Sequence, residues 1–228
     1  MKKWIPLLVI VALMLTAYFT GLTKYLSFVE IKERREELLT WLAHYPILMP
    51  LTFIAIYIVT TTLSLPGGAV LSLIGGFLFG VPLGTIYVVI GATIGATLIF
   101  LAARTALGNL LKNRASPFLS KMKRGFDKNP ASYLLFLRLI PIFPFWLVNL
   151  APAFFNVKTR TYIWTTFVGI IPGAYVFTQT GKGLGAIFEA GDAFSFEAVF
   201  NLEIKIALVV LALFALLPIF IKRLRRDR

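Results

Sequence analysis

Residues 45–103 read YPILMPLTFIAIYIVTTTLSLPGGAVLSLIGGFLFGVPLGTIYVVIGATIGATLIFLAA, without one Lys, Arg, Asp or Glu. A soluble core element seldom runs so far without a solvated face, whereas one bilayer crossing takes about 20 apolar residues. The stretch is therefore a membrane segment, and it is too long to be a single helix. Ser64-Leu65-Pro66-Gly67-Gly68 interrupts it. Proline lacks an N–H and clashes with the preceding turn, and glycine weakens any helix across the gap.

Working outward, hydrophobic blocks fall at about 4–22, 45–80, 82–103, 129–157, 161–181 and 204–221. Block 129–157 is broken by Pro141, Pro144 and Pro152. Its arms are each roughly 17 Å long as helix, about half of a hydrocarbon core of about 30 Å. Both broken blocks, 45–80 and 129–157, read as re-entrant helical hairpins. Non-helical backbone at that depth must be buried in protein or line a wet cavity.

The charges agree with this folding. With Lys2 and Lys3 inside, the first helix exits and segment 24–44 lies outside. The first hairpin dips in and returns, and block 82–103 crosses inward to Arg104, Lys112, Arg114, Lys121, Lys123, Arg124 and Lys128. The second hairpin enters from inside, block 161–181 crosses outward to Glu189, Asp192, Glu197 and Glu203, and the last helix returns to Lys222-Arg223-Leu224-Arg225-Arg226. The basic residues thus stay cytoplasmic at every loop. If both broken blocks were full crossings, the basic 104–128 loop would lie outside.

The predicted fold is an all-α polytopic membrane protein in the cell's inner (plasma) membrane, both termini cytoplasmic. It has two opposed re-entrant hairpins in an inverted repeat, about four full transmembrane helices, and interfacial amphipathic helices over 24–44 and 109–128. Residues 1–23 form an N-terminal anchor, 24–203 the membrane domain, and 204–228 a last helix with a basic tail. The stretch Trp4–Leu22 is long enough to span and lacks a good small-residue cleavage site, which favours an anchor over a signal peptide. Sliding the chain by about 78 positions aligns Pro66 with Pro144, Val70 with Val148, Phe77 with Phe155, Gly91 with Gly169, Gly95-Ala96 with Gly173-Ala174, and Arg104 with Lys182.

Composition excludes much chemistry. There are no cysteines and a single histidine, His44, so disulfides, thiolate sites, His-rich metal centres and a Ser-His-Asp triad are ruled out. No Walker loop, dinucleotide fingerprint or HExxH motif occurs, so no cofactor and no enzymatic activity is expected. The net charge of +13 flanks apolar segments, which points to anionic lipid and orientation rather than nucleic acid. Expected partners are membrane phospholipids and anionic headgroups, with a homo-oligomer left open.

Arg138 stands inside an otherwise uncharged block, roughly 13 Å in at helical rise. An intramembrane charge is costly and points to function, in a polar or water-filled interior. The plainer alternative is snorkelling or capping carbonyls freed by the prolines. Arg104 ends a block at the cytoplasmic side, where an anchoring role that stabilises the helix C-terminus is expected ahead of a functional one. Pro66, Gly67 and Gly68, with Pro141, Pro144 and Asn149, would expose half-helix ends near the midplane, a usual substrate position in transporters. Thr60-Thr61-Thr62 adds hydroxyls, although such groups often bond their own helix. Gly76, Gly80 and Gly84, then Gly91 and Gly95, then Gly169 and Gly173, have the spacing of close helix packing.

Leu65-Pro66-Gly67-Gly68, Gly75-Gly76-Phe77-Leu78-Phe79-Gly80, Phe100-Leu101-Ala102-Ala103-Arg104, Arg138-Leu139-Ile140-Pro141 and Gly169-Ile170-Ile171-Pro172-Gly173 form an ordered set. Over about residues 45–185 the chain resembles the DedA superfamily, in its SNARE-associated Golgi protein branch defined by the VTT domain. The resemblance implies opposed hairpins and a role in lipid movement or envelope maintenance. It also implies phospholipids or polyprenyl phosphates as substrates, Arg104 and Arg138 as the family's basic positions, and proton coupling in some members. Many relatives carry acidic residues near the first hairpin, where this chain has Thr60-Thr61-Thr62. Movement of a phosphate-bearing lipid between leaflets is therefore the leading expectation. The alternatives are an ion-coupled transporter of a small solute using Glu30–Glu37, and a membrane-homeostasis protein without transport.

Overall fold

The computed structural model describes residues 5–19, 34–65, 67–107, 125–127, 129–139, 145–155, 157–183 and 206. Among them all regular structure is helical: α1 (Ile5–Phe19), α2 (Arg35–His44), α3 (Leu48–Thr62), α4 (Gly68–Leu107), α5 (Pro130–Leu139), α6 (Phe145–Phe154) and α7 (Thr159–Lys182). The expected C-terminal helix at 204–221, nearly all of the 109–128 amphipathic segment and the first part of 24–44 lie outside the described residues. So do Pro66, Pro141 and Pro144.

α2 occupies the end of the expected 24–44 helix, with Glu36 and Glu37 in its first turn and His44 in its last, as the helix dipole favours. Leu38 and Leu42 form its half-buried face. A 119° bend separates α2 from α3. α3 then stops where the Ser64–Gly68 break was expected. Ser64 adopts φ 51°, a left-handed conformation that costs a non-glycine residue about 1–3 kcal/mol.

α4 is two helices that fold back on one another, since a Cβ on Gly84 would meet the Gly75 carbonyl. Gly80 sits between them at φ 73°, ψ 177°, a region open essentially only to glycine. The spacing of Gly76, Gly80 and Gly84 reads as a packing stripe, and for Gly80 that reading fails. A Cβ there would meet nothing within 4 Å, so the residue serves as a turn. Residues 68–79 span about 18 Å and residues 81–107 about 40 Å. Pro82 causes no break, because it occupies the first turn of the second helix, where its missing N–H has no partner to lose.

Pro152 was expected to break block 129–157, yet it lies inside α6. It stands two residues from the end of that helix, where one lost bond is tolerated. The break itself falls between Leu139 and Phe145. α5 and α6 have 10 residues each, about 15 Å, and they pack on one another. α7 has 24 residues, about 36 Å. Among the described residues, α4 is the helix long and apolar enough to cross a membrane.

The chain divides into two compact units. One comprises Met1–Val9, Ala96–Ile170 and Leu202–Arg228; the other comprises Ile10–Gly95 and Ile171–Asn201. Among the described residues the divisions fall inside α1, α4 and α7. In the second unit, Tyr57 on α3 donates to the Gly68 carbonyl at 3.2 Å and meets Ser72 Oγ at 3.1 Å. Phe53, Leu73 and Val88 of this unit are buried too, with Phe53 edge-on to Phe79 at 5.3 Å. A Cβ on Gly76 would overlap the backbone of Thr178, and one on Gly181 the carbonyl of Leu73. Only glycine lets these two stretches approach so closely.

In the first unit, Phe100, Leu134, Leu137, Val148, Ala151 and Tyr162 form the core. Burial follows the order of a lipid-solvated bundle. Thr60, Thr61, Ser72, Asn149, Thr165, Thr166 and Thr178 are buried, while Leu83, Ile86, Leu98, Phe167 and Ile171 are exposed. Apolar side chains gain nothing by hiding from hydrocarbon, whereas polar ones must find partners inside.

Candidate functional site

Arg138 closes the last turn of α5 and turns its guanidinium toward α6 and α7. Nη1 donates to Asn149 Oδ1 at 2.7 Å. Nη2 donates to the Tyr162 hydroxyl at 2.8 Å and to Thr166 Oγ1 at 3.0 Å. Since an arginine only donates, the Asn149 oxygen must be the atom facing it. Tyr162 accepts this bond, and its own hydrogen goes to the Ala96 carbonyl at 3.2 Å or to Asn149 Oδ1 at 3.3 Å. The guanidinium also lies 5.4 Å from the centre of the Tyr162 ring.

Four elements therefore meet at one charge: α5, α6, α7 and the second part of α4. Local geometry explains the convergence. Tyr162 and Thr166 lie one turn apart on α7 and so share a face. Gly169, one further turn on, leaves room for the Arg138 stem: a Cβ there would come within 2.8 Å of Arg138 Cβ.

All the partners of the guanidinium among the described residues are neutral. Among the described residues no carboxylate pairs with Arg138; the ion pair found there is the exposed Arg34–Glu37 contact at 3.8 Å. Two buried donors also lack partners among the described residues, Arg138 Nε and Asn149 Nδ2. Asn149 is fully buried, at 0% exposure. An unpaired buried N–H normally costs about 1–3 kcal/mol. The site is thus a cation with donors to spare and with its neutral acceptors already used. Chemically, it suits an oxyanion. Among the described residues no cluster suited to a metal ion occurs.

Arg104 is placed differently. Its Nη1 donates to the Val157 carbonyl at 3.0 Å and to Thr159 Oγ1 at 3.3 Å, fastening the start of α7 to the end of α4. It leans on Phe100 at 5.9 Å, and Phe100 stacks on Tyr162 at 4.2 Å and 9°. Two aromatic rings thus stand between the two guanidinium groups. Of the remaining candidates, Asn149 joins Arg138, whereas Gly67 and Gly68 belong to the Tyr57 unit. There the Gly67 carbonyl accepts from Leu71 N and the Gly68 carbonyl from Tyr57 and Ser72. Tyr162, Thr166 and the Ala96 carbonyl were not among the residues singled out by sequence. Their signal was faint, a Tyr and a Thr spaced four apart on a helix next to an intramembrane arginine.

The VTT domain profile matches residues 65–183, which takes in every residue of this cluster. The chain belongs to the VTT-domain family. Transmembrane protein 41B of Xenopus tropicalis is 31% identical to this VTT-domain chain over 175 residues, covering 75% of it and 60% of the relative. The mouse protein of the same name is 31% identical over 179 residues, covering 76% and 59%. The Transmembrane protein 41 homolog of Dictyostelium discoideum is 31% identical over 176 residues, covering 75% and 51%. The matches thus take in about half to three fifths of these relatives' length. No solved structure matches the chain. Membership in the DedA superfamily, and with it the expectation of a membrane protein, is thereby established.

Proposed function

We propose that this VTT-domain protein moves phosphate-bearing lipids between the leaflets of a membrane, as a transporter and not as an enzyme. The observation that carries the reading is the Arg138 cluster, a guanidinium with neutral partners and two unpaired donors beside it. Holding an arginine at the centre of a transmembrane helix costs about 2.5–3.5 kcal/mol on insertion scales. Each hydrogen bond from a charged group contributes about 1.5–3 kcal/mol. The three bonds made by Arg138 are enough to offset that cost without a carboxylate, so the charge stays available to a ligand. A guanidinium offers phosphate a planar fork of donors.

In this reading the two broken blocks are re-entrant hairpins from opposite faces, the membrane is the plasma membrane, and both termini are cytoplasmic. The basic 109–128 segment gathers anionic lipid by its charge. Phospholipid and polyprenyl phosphate headgroups share the recognised chemistry. Transfer is energy-independent, because proton coupling would call for a buried carboxylate, and Thr60, Thr61 and Thr62 stand where such a group would be sought.

The test is headgroup accessibility of fluorescent phospholipid in liposomes, with and without the purified protein. Wild type is expected to collapse outer-leaflet asymmetry, and Arg138→Gln, which keeps much of the shape, to fall to the protein-free rate. Full activity in Arg138→Gln would refute the role assigned to the charge.

A further inference from the structure

We infer that the Arg138 site takes a phosphate bearing a single negative charge. Its preferred cargo is then a phosphodiester headgroup, and a phosphomonoester lipid passes only while it keeps its second proton. This inference rests on the lipid-movement reading above and narrows its substrate class.

The argument is a count of charges and of donors. Among the described residues the site holds one cation, Arg138. Its hydrogen-bonding residues Asn149, Tyr162 and Thr166 are neutral, and no described carboxylate pairs with the guanidinium. Arg104 does not add a second charge to the site, since it is bound to Val157 and Thr159 behind the stacked Phe100 and Tyr162 rings. A singly charged ligand therefore leaves the occupied site neutral, whereas a doubly charged one leaves a net negative charge away from water, where uncompensated charge is heavily penalised. The donors agree with the charges. The unpaired groups are two, Arg138 Nε and Asn149 Nδ2, and they belong to residues joined by a 2.7 Å bond. A phosphodiester presents two non-bridging oxygens, one for each donor. A fully ionised monoester presents three oxygens and roughly one more charge than the site can balance.

Phosphomonoesters lose their second proton with a pKa near 6. From pH 6 to pH 8 the singly charged fraction falls from about a half to about one in a hundred, roughly 50-fold. The experiment uses the full chain in phosphatidylcholine vesicles. Short-chain fluorescent phosphatidylglycerol, a diester, and phosphatidate, a monoester, are followed by albumin back-extraction, with rates taken over protein-free vesicles at the same pH. Phosphatidylglycerol transfer should be flat from pH 6 to pH 8, and phosphatidate transfer should fall about 50-fold. Phosphatidate moving as fast as phosphatidylglycerol at pH 8 overturns the inference and leaves the lipid-movement reading intact. Acceleration of neither lipid at any pH overturns both.

Asn149→Asp supplies the second arm. It places a carboxylate beside Arg138 with little change of shape and cancels the site's charge. The variant should melt in detergent no lower than wild type yet move phosphatidylglycerol at the protein-free rate. A folded Asn149→Asp protein with wild-type transfer would count equally against the inference.

Discussion

Two stretches of the chain, 45–107 and 129–182, carry helices in the same order and fill them with different chemistry. A shift of 78 positions takes α3 and the Ser64–Gly68 break to α5 and its break. It takes residues 68–79 to α6, and residues 81–107 to α7, which begins at Thr159. The packing follows in one respect: Gly91 lies against Tyr57, and Gly169 lies against Leu135 and Arg138, with Leu135 the counterpart of Tyr57. The polar centres do not follow. Arg138, Asn149, Tyr162 and Thr166 fall on Thr60, Leu71, Gly84 and Val88. The Tyr57 unit holds itself together with neutral hydroxyl contacts, such as Thr85 to Thr178 at 2.7 Å and Thr62 to the Gly95 carbonyl at 3.3 Å. The two stretches therefore share an order of helices, and the position of Arg138 holds Thr60 in the other.

The most severe way to break the comparison is to exchange residues that fill space. Gly76 corresponds to Phe154. Gly76→Phe would drive a ring into the backbone of Thr178, and overpacking against main chain has no flexible side chain to absorb it. The expected result is loss of monodisperse protein on size exclusion. A well-folded Gly76→Phe variant would mean that the close approach at Thr178 is dispensable.

A smaller effect separates the two tyrosines. Tyr162→Phe removes the acceptor for a charged donor and should destabilise by about 1.5–3 kcal/mol; Tyr57→Phe removes neutral contacts worth about 0.5–1.5 kcal/mol. Unfolding in graded denaturing detergent would rank them. Leaflet transfer should suffer only in Tyr162→Phe. Equal losses in both assays would show that the Arg138 unit is no more specialised than its counterpart.

The smallest effect concerns Gly95 and its counterpart Gly173. A Cβ on Gly95 would come within 2.6 Å of Thr61 Cβ, whereas one on Gly173 would meet nothing within 4 Å. Gly95→Ala should lower the melting temperature. Gly173→Ala should leave it unchanged or raise it, by up to about 1 kcal/mol of helix propensity.

Much of this scaffold was legible in the sequence because lipid imposes simple rules. The uncharged run 45–103 and the helix-breaking residues near Pro66 each have one physical reading in hydrocarbon, and Arg138 stands out there as an isolated charge. What was not legible depends on backbone conformation or on partners far apart in sequence. Gly80 has the spacing of a packing glycine, and only its positive φ shows it to be a turn. Pro152 reads as a breaker, yet near a helix end it loses little. Asn149 was found from its place beside the prolines, but Tyr162 and Thr166 belong to an apolar helix in which a Tyr and a Thr carry no mark of their own. Arg104 matched a motif, and its bonds to Val157 and Thr159 could be known only once α7 was seen to begin beside it.

The division of α7 between the two units also orders events in time. A nascent chain that has reached Ile170 already contains every described helical stretch of the Arg138 unit up to its boundary in α7. The Tyr57 unit, although most of it is synthesised first, must wait for Ile171–Lys182, whose Gly181 seats against Leu73 and whose Thr178 lies against Gly76. Closing the Tyr57 unit therefore waits on a segment synthesised after α5, α6 and the first part of α7.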